Sequence, residues 1–285
     1  MSTITGGQAQ PNIGRLTYRY HLTPDLAILR LQPADGSPIP EFKAGQFVTL
    51  GLQFEGEDRI TYRAYSISSP PEERRYFELY VKWATEPVMG KFTSVLFHLK
   101  EGDKIYWRKP AGAFTIEEKK ADRMTPDRRW LILVASGTGL APFISYVLHL
   151  KNIGSTRKVA LLHGAKYAQE LGYRVALEKI AAENPNNFVY IPTVSRPNHE
   201  LSQGWQGKTG RVETLLAKDN TDGKGGSQLE KAIGEKVTPD SSFFHICGYQ
   251  GTIDSVVSIL SPLGFVTNRN KRKDGSFDIK VETYG

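Results

Sequence analysis

One stretch limits the architecture more than any other. The apolar run Leu131–Ala135 passes directly into Ser136-Gly137-Thr138-Gly139-Leu140-Ala141-Pro142, and helical spacing follows at Phe143–Leu150. A strand, a glycine turn and a helix in that order form the repeating unit of a parallel α/β sheet, because a parallel neighbour can be reached only through a crossover. The glycines let backbone amides approach a pyrophosphate, the helix N-terminus adds the positive end of its dipole, and Pro142 suits a first helical turn. Gly-x-Gly alone is equally a tight structural turn. Its position between strand and helix is what favours a nucleotide.

The same alternation continues through the second half of the chain. Trp130–Ala135, Lys158–His163, Asn187–Thr193 and Ser242–Cys247 are compact apolar runs, with helix-length stretches such as Phe143–Leu150 and Tyr167–Ala182 between them. Such a pattern predicts an open parallel sheet covered on both faces. The first half reads differently. From Leu16 to about Ile116 there are short strands separated by turn signals, at Gln46–Phe54, Tyr62–Ser68, Tyr76–Trp83 and Lys104–Arg108, with one helical repeat at Lys91–Leu99. That spacing predicts an antiparallel barrel or sandwich. A chain of 285 residues, 39% hydrophobic, can fill two such cores. The expected division is a disordered arm at 1–14, a β-barrel at 15–116, a charge-dense linker at 117–129, and an α/β domain at 130–285. Asp219–Lys236 reads as an exposed loop with a short helix.

Several classes are excluded by what the chain lacks. Cys247 is the single cysteine, so neither a disulfide framework, a thiolate zinc site nor an internal iron–sulfur cluster can be built, and no metal is expected. No secretory layout and no apolar run near the roughly 18 residues of a membrane helix is present, which predicts a cytoplasmic protein without membrane insertion. The net charge of +7 is uneven: residues 1–124 carry 17 Lys and Arg against 15 Asp and Glu, and residues 125–285 carry 20 against 15. A basic half suits a phosphorylated cofactor and an acidic protein partner, or solubility alone. No basic run interleaved with aromatics points to nucleic acid.

An acidic residue about 20 positions beyond the glycine turn, which holds a ribose 2′-hydroxyl in NAD-binding folds, is missing. Basic residues recur instead near later strand ends, at Lys166, at Arg196 after Ser195, and at Arg211. Cations there suit a 2′-phosphate and hence NADP. In the first half, Arg63-Ala64-Tyr65-Ser66 closes a strand with a cation for a diphosphate, a ring to stack on or bond to a flavin, and a hydroxyl to reach it. Taken alone, four such residues on a strand are more often surface alternation.

The ordered set is more specific than its members. Arg63–Ser66, Gly90-Lys91-Phe92-Thr93-Ser94, Ser136–Pro142, Cys247-Gly248 and the ending Val281-Glu282-Thr283-Tyr284 together resemble the ferredoxin/flavodoxin–NADP⁺ reductase family, nearer its bacterial members, over residues 15–285. The resemblance implies an N-terminal antiparallel FAD-binding β-barrel and a C-terminal parallel-sheet NADP-binding α/β domain. It implies reversible hydride transfer between NADP(H) and FAD, coupled to one-electron exchange with a ferredoxin or flavodoxin. Alternatives are a reductase feeding an oxygenase through a separate ferredoxin, a diaphorase acting on free small acceptors, and a redox-sensing flavoprotein without turnover.

By position, the resemblance assigns Arg63, Ala64, Tyr65, Ser66, Tyr80, Val81, Lys82, Lys91, Phe92, Thr93, Thr138 and Tyr284 to FAD. To NADP it assigns Gly137, Thr138, Gly139, Lys166, Ser195, Arg196, Arg211, Cys247 and Gly248. Ser66, Cys247, Glu282 and Tyr284 form the implied catalytic set, with Ser66 and Cys247 flanking the nicotinamide and Glu282 managing a proton. Lys166 stands where arginine is commoner in the family. Gly285 follows Tyr284 where some relatives carry tryptophan, which leaves Tyr284 as the ring to stack on the flavin and then move aside. The protein is expected to be a monomer.

Overall fold

The computed structural model describes residues 11–85, 89–116, 126–218 and 225–284. Two six-stranded sheets account for nearly all its strands. The first contains β1 (Asn12–Thr23), β2 (Leu26–Pro33), β3 (Phe47–Gln53), β4 (Ile60–Ser66), β5 (Phe77–Lys82) and β6 (Lys104–Ala111), in the antiparallel order β4-β3-β6-β1-β2-β5. A bridge between Ile67 and Leu79 joins the two ends of that order and closes the barrel. Along β2 the residues alternate between buried and half-buried, so one face fills the barrel with Ala27, Leu29 and Leu31. Helix α1 (Lys91–His98) plugs the interior with Phe92, Leu96 and Phe97.

The second sheet is formed by β7 (Trp130–Ser136), β8 (Val159–Ala165), β9 (Phe188–Val194), β10 (Lys208–Thr209), β11 (Ser242–Gly248) and β12 (Ile279–Thr283). All its pairings are parallel, in the order β10-β9-β8-β7-β11-β12. Strands β8 and β11 are buried along their whole length, because helices cover both faces. Helices α2 (Ala141–Asn152) and α3 (Arg174–Glu183) pack on the face turned to the barrel. Helix α5 (Gln250–Leu260) packs on the other face, near α4 (Gln228–Ile233). The order reverses direction at β7, with β8 on one side and β11 on the other. In open α/β sheets that crevice, outside the carboxyl ends of the strands, is where ligands bind. Among the described residues no helix is long and apolar enough to cross a membrane.

The sheets share a buried seam. Leu26, Ala44, Tyr80 and Phe114 of the first half belong to the same apolar cluster as Leu140, Phe143, Ile144 and Tyr146. Tyr146 donates its hydroxyl proton to the Phe114 carbonyl at 2.6 Å, and Ser145 Oγ donates to the Ser69 carbonyl at 2.8 Å. His245 Nδ1 lies 3.2 Å from the Tyr146 oxygen. Since that hydroxyl already spends its proton on Phe114, the imidazole must carry its proton on Nδ1.

Three expectations need correction. The arm predicted at 1–14 runs into the sheet, because β1 starts at Asn12 and pairs Asn12 and Ile13 with Trp107 and Tyr106 of β6; pairing with a distant strand orders residues whose own composition signals a loop. Residues 1–10 lie outside the described chain. The linker predicted at 117–129 is described only from Pro126. Its last residues are anchored, with Asp127 and Arg129 buried in an ion pair of 2.6 Å that Asp278 joins at 3.1 Å. The single helix predicted over Tyr167–Ala182 is a short 3-10 turn, Ala168–Glu170, followed by a separate α3. The break falls at Gly172-Tyr173, where Tyr173 takes a left-handed φ of +60° and a Cβ on Gly172 would meet the Tyr80 hydroxyl at 2.7 Å. Contacts from the barrel override the helical periodicity there.

Replacing Tyr146 with Phe removes the donor to a carbonyl at the seam and leaves it buried and unpaired. A loss of about 1–3 kcal/mol is expected, read as a lower urea midpoint with an unchanged slope.

Candidate functional site

A cavity of about 790 Å³ opens between the barrel and the second sheet. The second half of β4 contributes Arg63, Ala64, Tyr65 and Ser66; β5 contributes Tyr80, Val81 and Lys82; the start of α1 contributes Lys91, Phe92 and Thr93. Thr138 and Ala141 enter from the glycine turn, and Glu282, Thr283 and Tyr284 from the end of β12. Every residue assigned to FAD from the sequence thus faces one space, whose volume lies within the range of cofactor sites. Helix α1 directs its first turn at this space. Gly90 precedes it in an extended conformation, no side chain caps it, and no acidic residue occupies its first turn, so it suits an anion such as a pyrophosphate.

Sequence reasoning missed part of the wall. Phe47, Phe54, Glu57 and Thr61 also line the cavity. Lys91 pairs with Glu57 and sits 4.2 Å above the Phe54 ring, so the lysine expected at a diphosphate is held by a carboxylate in this structure. No local pattern marks Glu57, which lies in the turn between β3 and β4 and meets Lys91 only through the folding of the barrel.

At the inner end of the cavity four residues from three distant segments meet. The Ser66 and Tyr284 hydroxyl oxygens are 2.6 Å apart, and Ser66 Oγ lies 3.5 Å from Glu282 Oε2. Cys247 Sγ is 3.9 Å from the same Glu282 oxygen. Cys247 and Glu282 are register partners on β11 and β12, and the Tyr284 amide donates to the Gly248 carbonyl at 3.1 Å, which fixes the tyrosine over the cavity. Cys247 itself is fully buried and does not line the space. Burial, reinforced by the Glu282 carboxylate, pushes its thiol well above the ordinary range, so it remains protonated. Desolvation raises the Glu282 carboxyl to about 7, against weaker opposing effects from Ser66, Lys280 and Cys247. A carboxyl that titrates near neutrality and bonds a serine hydroxyl can hold or release a proton at that hydroxyl.

The residues assigned to NADP lie along the carboxyl edge of the second sheet rather than in the cavity, apart from Thr138. Gly137 adopts a φ of +56° at the start of the turn. Gly139 has no alternative: a Cβ there would stand 2.1 Å from the Cys247 carbonyl oxygen, so the turn and the end of β11 touch through bare backbone. Beyond the strand ends, Ser195 N donates to Ala165 O at 3.0 Å and Arg196 N to Lys166 O at 2.9 Å. These bonds bring Lys166, Ser195 and Arg196 side by side, and Arg211 follows β10 on the adjoining strand. Arg196 Nη1 donates to the Tyr167 hydroxyl at 2.9 Å, and the Tyr167 and His199 rings pack in a tilted pair with centroids 4.2 Å apart. Tyr167 and His199 carried no signal in the sequence beyond their nearness to those cations.

Residues 14–116 match the family model of the oxidoreductase FAD-binding domain, and residues 133–257 that of the oxidoreductase NAD-binding domain. A ferredoxin–NADP reductase of Pseudomonas aeruginosa is 30% identical over 254 residues, covering 86% of this chain and 88% of that protein. A subunit of the Na(+)-translocating NADH-quinone reductase of Klebsiella pneumoniae is 30% identical over 211 residues, covering 72% of this chain and 46% of its own length. The chain therefore spans about half the length of several curated relatives it matches. Among solved structures, a ferredoxin NADP+ reductase from Neisseria gonorrhoeae with bound FAD and NADP superposes with a TM-score of 0.76 at 22% identity, over 97% of this chain and 99% of that one.

The raised Glu282 carboxyl makes stability depend on pH. Its folded value of about 7 exceeds the ordinary 4.5, so its contribution is complete below 4.5 and is lost as pH rises through 7. Glu282→Gln lacks that loss. The variant should gain on the wild type with rising pH, by on the order of 2 kcal/mol at alkaline pH, and the advantage should vanish in acid when unfolding is followed across pH.

Proposed function

Because this chain belongs to the ferredoxin–NADP reductase family of FAD-dependent NAD(P)H oxidoreductases, we propose that it exchanges hydride between NADP(H) and FAD and passes electrons singly to a ferredoxin or flavodoxin. One observation carries the reading. A single cavity gathers the β4 and β5 walls, the uncapped start of α1, and the Ser66–Glu282–Tyr284 cluster against the Gly137–Leu140 turn.

Bound FAD would supply the hydride-accepting and one-electron chemistry. Val81 and Tyr65 would give a flavin apolar walls, and Arg63, the first amides of α1 and a Lys91 released from Glu57 would hold its phosphates. Lys166, Ser195, Arg196 and Arg211 bind the 2′-phosphate, and Gly137, Thr138, Gly139 and Gly248 let the rest of the nucleotide approach the backbone. Tyr284 shields the site from water and would have to move aside for a nicotinamide to reach it. Ser66 orients the reacting face, and Glu282 holds or returns a proton at the serine hydroxyl. Cys247 alone cannot hold a cluster within these residues, so the centre that receives the electrons lies outside them in this reading. The enzyme works as a monomer in the cytoplasm in this reading.

The purified protein should release FAD on denaturation, and NADPH should bleach its flavin band; a colourless protein would overturn the reading. Partial similarity to a component of an NADH-quinone reductase makes NADH the competing nucleotide. Changing Arg196 and Arg211 to Ala together should lower the NADPH-to-NADH ratio of kcat/KM by about tenfold or more, since a hydrogen bond to a charged group contributes about 1.5–3 kcal/mol. An unchanged ratio would take the 2′-phosphate away from these residues.

A further inference from the structure

The break in the expected helix after β8 brings a buried carboxylate between the two cofactor regions. Glu170 ends the 3-10 turn, and its side chain is only 8% exposed. One carboxylate oxygen pairs with Lys82 Nζ on the cavity wall, an ammonium that also reaches Asp25 Oδ2 at 3.2 Å. The other oxygen accepts the Lys166 backbone N–H at 3.1 Å, at the cationic edge of the second sheet. The Glu170 carbonyl accepts the Tyr80 hydroxyl at 2.7 Å, and the Gly172 amide donates back to that hydroxyl at 3.3 Å. Tyr173, in its left-handed conformation, donates to Glu78 Oε1 at 3.0 Å and shares a hydrogen bond with Ser68 Oγ at 3.1 Å. The loop carrying Lys166 is thus attached to the strand that forms the wall of the cavity.

A brace between two sheets needs no charge, and burying a carboxylate is costly unless its oxygens are paired. Here the two oxygens are divided between two different regions. We propose that Glu170 is a positioning residue that couples the flavin cavity to the 2′-phosphate edge, acting through Lys82 on one side and the Lys166 backbone on the other. It touches neither cofactor. With its carboxylate in place, the Lys82 ammonium on the cavity wall is paired toward the second sheet, and the backbone that presents Lys166 is tied to the same side chain. Disturbing either end is therefore felt at the other, as a coupling free energy between sites.

This inference rests on the FAD and NADP reading, and the same experiment separates the two. Wild type, Glu170→Gln and Glu170→Ala are prepared as holoprotein. FAD affinity, the flavin absorption bands, NADP⁺ affinity by flavin difference spectrum, KM and kcat with NADPH, and Tm are measured. Gln retains an oxygen for the Lys166 amide but loses the charge that holds Lys82. It should shift the flavin bands, weaken FAD by roughly threefold and, through the shared side chain, weaken NADP⁺ by a smaller factor of about twofold. Ala removes both partners and should also raise the NADP⁺ Kd and the NADPH KM about tenfold, with kcat nearly unchanged. Flavin bands and both affinities that stay as in the wild type while Tm falls would make Glu170 a brace and overturn the proposal. If the Ala variant does not fold, the Gln variant decides: unaltered bands and FAD affinity overturn it. A wild type that holds no FAD and binds no NADP⁺ removes the functional reading instead.

Discussion

Everything at the inner end of the cavity depends on how firmly two sheets are pressed together. Ser66 sits on the last position of a barrel strand, Glu282 and Tyr284 on or beyond the last strand of the other sheet, and no local chain segment connects them. What sets their separation is the seam built from Phe114, Phe143, Tyr146 and Tyr80, closed by the Tyr146 and Ser145 hydrogen bonds. Close-packed apolar contacts have little give, so a gap of one methylene there would move Ser66 relative to Glu282 by a comparable amount. The Ser66–Tyr284 contact at 2.6 Å survives only because the seam does not slide.

Two electrostatic regimes follow from that arrangement. Around Ser66 the polar groups are withdrawn from water, and desolvation keeps the Cys247 thiol and the Tyr284 phenol neutral while Glu282 is poised near 7. Interactions there are strong and respond to protons rather than to salt. The Lys166, Arg196 and Arg211 edge is open to solvent, where salt weakens its field. Glu170 lies at the boundary, a buried charge whose partners belong to one regime each.

Much of this was legible in the order of residues, and what was not has a common cause. Strands β7, β8 and β11 are buried on both faces and so appear as compact, mostly apolar runs, and the glycine turn after β7 is forced by the backbone contact of Gly139 with Cys247. Arg63–Ser66 and Glu282–Tyr284 could be placed because their order along the chain resembles a known family, not because either segment is distinctive. Features that arise only between segments stayed hidden. Tyr167–Ala182 has sound helical spacing, yet Tyr80 and Glu78 from the barrel take hold of Gly172 and Tyr173 and break it. Glu57 against Lys91 and Glu170 against Lys82 are tertiary pairs joining residues 34 and 88 positions apart, for which periodicity has no signature.

The hydrogen bond between Ser66 and Tyr284 closes a loop of 218 residues. Contacts of such long sequence separation are slow to form, since most of the chain must be ordered before their ends can meet. During refolding the barrel and the β7–β8–β9 layers can regain their hydrogen-bonded ladders while the pocket between them is still open on one side. Far-ultraviolet circular dichroism should therefore recover before the capacity to retain a flavin, and a partly folded chain would look native by its backbone while lacking the one feature that gives it chemistry.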